Sequence, residues 1–152
     1  MLDQLQNVFA SFQKNQVRYL VIGGIAAVLY GVPRATFDLD ILIEASRENA
    51  NRLLTAMSEA GLGTAALTSA NDVLSNEITI FTDRVRLDVQ TSTPGITFEE
   101  AWPRRVTMNY KGQLLEVISL RDLIASKQAA GRAVDLEDVR ILQTDVNSSQ
   151  ED

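Results

Sequence analysis

Asp38 and Asp40 stand two apart in the run Phe37-Asp-Leu-Asp-Ile-Leu-Ile43, alternating with aliphatic residues. On a strand, Cα atoms two apart lie about 6.5–7 Å from each other on one face, so the two carboxylates can converge on one or two hydrated cations. Oxygen-only ligands of this kind suit Mg²⁺ or Mn²⁺ and not zinc. A third carboxylate, Asp88, alternates with Leu87 and Val89 in the run Arg84–Val89, which sets it on the polar face of another strand. Gly23-Gly24 breaks an apolar run at a strand-to-helix turn, where backbone N–H groups and a helix N-terminus can receive a phosphate. Each feature alone has a plainer explanation, an exposed acidic strand or a tight turn. Their combination points to metal-assisted chemistry on a phosphate.

Composition narrows the chemistry further. The chain has 152 residues, 45% of them hydrophobic and 22% charged, which fits one soluble globular domain over residues 1–144. It contains no histidine and no cysteine, which excludes His-based triads, thiolate or imidazole zinc sites and disulfides. No membrane span and no signal segment stand out, and with no cysteine a reducing cytoplasm is the expected home. The net charge of −6 argues against broad binding to a nucleic-acid backbone. The short basic pairs Arg84/Arg86 and Arg104-Arg105 read as solvated surface.

The elements that must position these residues follow from periodicity. Leu2, Leu5, Val8, Phe9 and Phe12 have helical spacing, Val17–Ile22 reads as a buried strand, and Ile25–Tyr30 as a short helix closed by Gly31 and Pro33. Phe37–Ile43 is a second strand, with Leu39, Ile41 and Ile43 on one face and the aspartates on the other. Ser46 caps a helix to about Ala60, and residues 62–76 carry no clear pattern. Two hairpins follow, over 77–89 and 106–118, separated by a brief helix within 97–104. Ser119 and Asp122 resemble a capping box for a helix to Ala130, Gly131 stops it, and Asp135 is expected to cap a last helix carrying Leu136, Val139, Ile141 and Leu142. Residues 145–152 are polar and read as a disordered tail.

The Gly-Gly turn and the Asp-hydrophobic-Asp strand resemble the signature of the nucleotidyltransferase superfamily related to DNA polymerase β. More closely, GGIAAVLYGVPRATFDLDILIE together with LRDLIASKQAAGRAVDLEDVRIL resembles the AbiEii-like and minimal nucleotidyltransferases of bacteria and archaea. Many members carry Gly-Ser where this chain has Gly23-Gly24, so a serine hydroxyl is missing here, although close relatives also use Gly-Gly. The resemblance implies an α+β fold with α/β-type packing, a small mixed sheet with helices packed on it. It implies Mg²⁺ (or Mn²⁺) held by Asp38, Asp40 and Asp88, with an NTP such as ATP as substrate. It also implies transfer of a nucleoside monophosphate to a hydroxyl of a protein or small molecule. Gly23, Gly24, Arg34, Thr36 and Lys127 would bind the nucleotide; from the residues alone, Lys127 reads as a solvent-facing lysine.

Arg132 and Asp135 are adequately explained as an ion pair or cap, and Trp102 as core or interface. By the same resemblance, a toxin–antitoxin role would bring a partner toxin or antitoxin chain, and a homodimer could supply the missing acceptor wall. The alternatives are a tRNA-modifying toxin, an antibiotic nucleotidyltransferase, or a non-catalytic interaction module that keeps the fold.

Overall fold

The computed structural model describes the backbone of residues 2–151 and the side chains of residues 2–144. Helix α1 (Leu2–Lys14) buries Leu5, Val8, Phe9 and Phe12, the stripe its spacing predicts. Strand β1 (Tyr19–Ile22) is buried at every position, as a central strand covered on both faces must be. Helix α2 (Gly23–Leu29) begins directly at the glycine pair, two residues earlier than the apolar pattern alone suggests. Gly23 makes this abrupt start feasible, because its φ of +67° is costly for any residue with a Cβ.

Strand β2 (Asp38–Ile43) leads to α3 (Arg47–Glu59), where the Ser46 hydroxyl accepts from the Asn49 N–H at 3.1 Å. The featureless stretch 62–76 holds a 3-10 turn (Gly63–Leu67) and the short helix α4 (Ala70–Ser75). A reciprocal capping box between Ser69 and Asp72 starts α4, a signal present in the sequence but without an apolar run behind it. After β3 (Ile78–Thr82) and β4 (Arg86–Gln90), α5 (Phe98–Ala101) runs into a 3-10 turn at Trp102–Arg104. The hairpin β5 (Val106–Tyr110) and β6 (Gln113–Val117) precedes α6 (Leu120–Ala130) and α7 (Ala133–Glu151).

The six strands form one mixed sheet in the order β3-β4-β2-β1-β6-β5. β2 and β4 are parallel in a register that puts Asp40 opposite Asp88 and Asp38 opposite Arg86. β1 lies antiparallel to β2 with Ile22 opposite Asp40, so the start of α2 falls beside the acidic strand. Leu39, Ile41, Ile43, Leu87 and Val89 are buried with Phe9, Phe12, Leu53 and Met57 of α1 and α3 in one core cluster. The edge strand β3 leaves Ile78 and Ile80 about half exposed.

Three local expectations are corrected. Asp135 does not cap α7, which starts two residues before it; the carboxylate is buried and takes Arg132 Nε at 2.7 Å, a stronger partner than a backbone N–H. Ser119 caps α6, but Asp122 does not return the bond, because Arg104 holds its carboxylate in a fork at 2.9 and 3.0 Å. The basic pairs are not simply solvated. Arg105 joins Glu116 at 2.7 Å, and Arg84 donates to the carbonyls of Gln4 and Ala60. Helix α7 spans Ala133–Glu151, with neither glycine nor proline in it.

Candidate functional site

Parity and register assemble the acidic group. Asp38 and Asp40 share one face of β2 by the two-residue period, and the parallel pairing sets Asp88 beside Asp40 on the same face. Carboxylate oxygens of Asp38, Asp40 and Asp88 lie within 4.8 Å of one another, and Asp88 is buried. Burial, the charges of Asp38 and Asp88, and a hydrogen bond with Asp88 together push Asp40 up to about 7, against a weaker opposing pull from Arg86. Arg86 forks onto Asp88, Nε to Oδ1 at 2.9 Å and Nη2 to Oδ2 at 3.2 Å. Its guanidinium thus neutralises one of three crowded carboxylates. Such crowding of oxygen ligands, unfavourable in itself, suits a hard divalent cation such as Mg²⁺ or Mn²⁺.

The carboxylates open into a cleft of about 580 Å³ that Gly23, Gly24, Arg34, Thr36, Lys127 and Arg132 also line. Gly23 is required by its φ of +67° and by its close approach to Asp40, whereas Gly24 approaches only side-chain ends. A Cβ on Gly23 would stand 2.3 Å from Asp40 Oδ2, and one on Gly24 would stand 2.9 Å from Arg34 Nη2 and 3.1 Å from Thr36 Oγ1. The backbone at the start of α2 is therefore pressed directly against the acidic strand and the loop that leads into it.

Lys127 is not solvent-facing. It is 5% exposed, with Nζ 2.9 Å from Asp138 Oδ2 and 3.6 Å from Asp135 Oδ1. Asp138 also lies 3.3 Å from Arg34 Nη1, so one buried carboxylate on α7 holds a cation from α6 and another from the loop before β2. These contacts lie off hydrogen-bond directions, and Arg34 Nε is buried with no partner among the described residues. All the residues singled out from sequence as metal- or nucleotide-binding face one cleft. Asp138 has no role legible in the sequence because its partners lie on other elements, whereas Arg86 reaches a carboxylate two residues on along the same face of β4. Trp102 stands outside the cleft, stacked on Phe98 at 5.2 Å with the Arg105 guanidinium 3.8 Å above its ring.

Residues 1–147 match the family described as "Nucleotidyltransferase of unknown function (DUF6036)". No curated protein sequence matches the chain significantly. Among solved structures, an antigenic nucleotidyltransferase-like protein from Paracoccidioides brasiliensis is similar with a TM-score of 0.55 and 18% identity, over 92% of this chain and 75% of that one. The antibiotic-resistance factor ANT(2'')-Ia is similar with a TM-score of 0.59 and 14% identity, over 97% of this chain and 84% of that one. At these identities the likeness is one of fold.

Proposed function

The chain belongs to the DUF6036 family of nucleotidyltransferases of unknown function, and from that premise we propose that residues 1–144 act as one domain transferring a nucleoside monophosphate from an NTP to a hydroxyl of a protein or small molecule. One observation carries the reading: carboxylate oxygens of Asp38, Asp40 and Asp88 within 4.8 Å of one another. Asp38 and Asp40 would hold Mg²⁺ or Mn²⁺ between them, and Asp88 would share it. When bound, the ion supplies positive charge that offsets the charge developing on the phosphoryl oxygens.

The remaining roles belong to the chain's own residues. The first turn of α2 at Gly23-Gly24, with Arg34, Thr36 and Lys127, receives the β- and γ-phosphates and keeps the leaving group in line. The acceptor oxygen bonds to the α-phosphorus, the bond from that phosphorus to the bridging oxygen breaks, and pyrophosphate departs with the electron pair. The acceptor proton passes to Asp88. A resemblance to AbiEii-like proteins gives the reading its narrower form, a toxin–antitoxin component with a partner chain or a second copy closing the open cleft.

The test is calorimetric titration of the full chain with Mn²⁺ and a non-hydrolysable NTP, beside incorporation of labelled NTP into candidate acceptors. Metal-dependent NTP binding that disappears in Asp38→Asn and Asp40→Asn supports the reading. Its absence from the folded wild-type chain would sink it. A second reading, a non-catalytic interaction module, is favoured by the Arg86–Asp88 fork, which satisfies the third carboxylate without a metal. Failure to bind Mn²⁺ at millimolar concentration would select that one.

A further inference from the structure

A second cavity, of about 610 Å³, lies where the loop before β2 and the β3–β4 turn meet the first turn of α1. Arg34, Thr36 and Arg86 line both it and the acidic cleft, so the two spaces share a wall. On the far side of that wall the lining is apolar at Ile25, Val28, Phe37 and Val85, and its volume falls within the range of small-molecule sites. Phe37, the residue before Asp38, is 82% exposed and presents a flat ring at the cavity's mouth.

The basic character of this cavity rests mainly on Arg84, because Arg34 and Arg86 are paired with Asp138 and Asp88. The chain carries a net charge of −6, yet Arg34, Arg84 and Arg86 line the cavity and no carboxylate does. Arg84 is held by neutral acceptors alone, the Ala60 carbonyl at 2.8 Å and the Gln4 carbonyl at 3.3 Å, and among the described residues it forms no ion pair. A guanidinium fixed in place without an ion pair beside an apolar floor is complementary to an anion carrying a flat apolar body. A polymer would need further basic surface leading away. Arg104 and Arg105 do not line the cavity and are paired with Asp122 and Glu116.

Resting on the nucleotidyl-transfer reading, we propose that this cavity holds the acceptor, and that the acceptor is a small anionic molecule with a planar apolar body and a hydroxyl directed past Arg86 toward Asp88. Among the described residues no carboxylate lines the cavity to receive a polycationic acceptor.

Naphthoate and its cationic counterpart naphthylmethylammonium serve as probes, titrated into the ¹⁵N-labelled full chain with and without Mg²⁺ and a non-hydrolysable NTP. Naphthoate is expected to shift the amides of residues 34–37 and 84–86, and to remain bound when the nucleotide fills the cleft. Its affinity is expected to fall about tenfold in Phe37→Ser and Arg84→Gln, with the ammonium probe weaker by a similar factor. Phe37 is exposed enough that its replacement leaves the fold intact, which keeps the test sound if Arg84→Gln unfolds.

Equal binding of both probes, or unchanged affinity in both variants, overturns the proposal. Displacement of naphthoate by the nucleotide assigns the cavity to the nucleoside end of the donor, and displacement by a short RNA oligonucleotide assigns it to a polymer; either removes the small-molecule acceptor. Nucleotide binding is read independently by calorimetry. Lost naphthoate binding with intact nucleotide binding sinks the acceptor assignment alone. The reverse pattern sinks the transferase reading while leaving an anion site.

Discussion

Burial and two carboxylate neighbours push Asp40 up to about 7, whereas the unfolded chain releases that proton near pH 4. Between those values the folded state binds more protons, so the group's contribution to stability is full below about pH 4 and is lost as pH rises through about 7. Thermal unfolding in EDTA is therefore expected to show a midpoint that declines from pH 5 to pH 8, and Asp40→Asn should flatten the decline. A divalent cation needs the deprotonated carboxylate, so Mn²⁺ affinity should rise up to about tenfold per pH unit below about 7 and level off above it. Calorimetry at pH 6 and pH 8 checks this. Arg86 competes for Asp88, and its replacement by glutamine should tighten Mn²⁺ binding several-fold while lowering the stability of the metal-free chain. Gly23 couples the two halves of the site. Gly23→Ala must place a Cβ at a φ of +67° and 2.3 Å from Asp40 Oδ2, a strain on the order of 1–3 kcal/mol before any loss of ligand binding. Urea unfolding would read it.

Elements rather than residues decide how much could be read in advance. The strands and most helices were legible because their apolar periods are intact, as in Leu39, Ile41 and Ile43 of β2 or Leu5, Val8 and Phe12 of α1. α4 was not, because its capping box precedes only Val73 and Ala70 as buried residues and no stripe develops. Asn49 carries a role that no pattern signals. Buried in the first turn of α3, it accepts from the Arg18 N–H at 2.8 Å and donates to the carbonyls of Arg18 and Glu44 at 2.9 Å. One amide thereby ties α3 to the start of β1 and the end of β2. Asn49→Ala removes all three bonds and leaves the Arg18 N–H without a partner, while the Arg18 and Glu44 carbonyls keep the N–H groups of Glu44 and Ser46; it is expected to cost about 1–3 kcal/mol in chemical denaturation. Ser46→Ala, which removes the cap and the hydroxyl's bond to Glu44 Oε1, should cost about 1 kcal/mol.

At the scale of the whole molecule, the acidic pair Asp38/Asp40 was legible from alternation. The neighbour that completes it depends on β4 adding parallel to β2 in one register, which no local signal fixes. The same holds for Lys127, exposed by helical position in isolation and buried once α7 closes over it with Asp138 and Asp135. That cluster joins α6, α7 and the loop before β2 through charges alone. Lys127→Met removes the buried cation that Asp138 and Asp135 share and leaves them only Arg34 and Arg132; it should lower global stability by about 3 kcal/mol, against a smaller loss for the exposed Lys111→Met. The outermost strand carries a different liability. β3 reads Ile78-Thr-Ile-Phe-Thr82, without a charge or a proline; among the described residues no strand pairs with its outer edge, and two of its isoleucines are half exposed. Such an edge is a template on which another copy can extend the sheet. Concentrated stocks of this protein are thus expected to lose material through strand pairing at β3, and Ile80→Thr would prolong their shelf life.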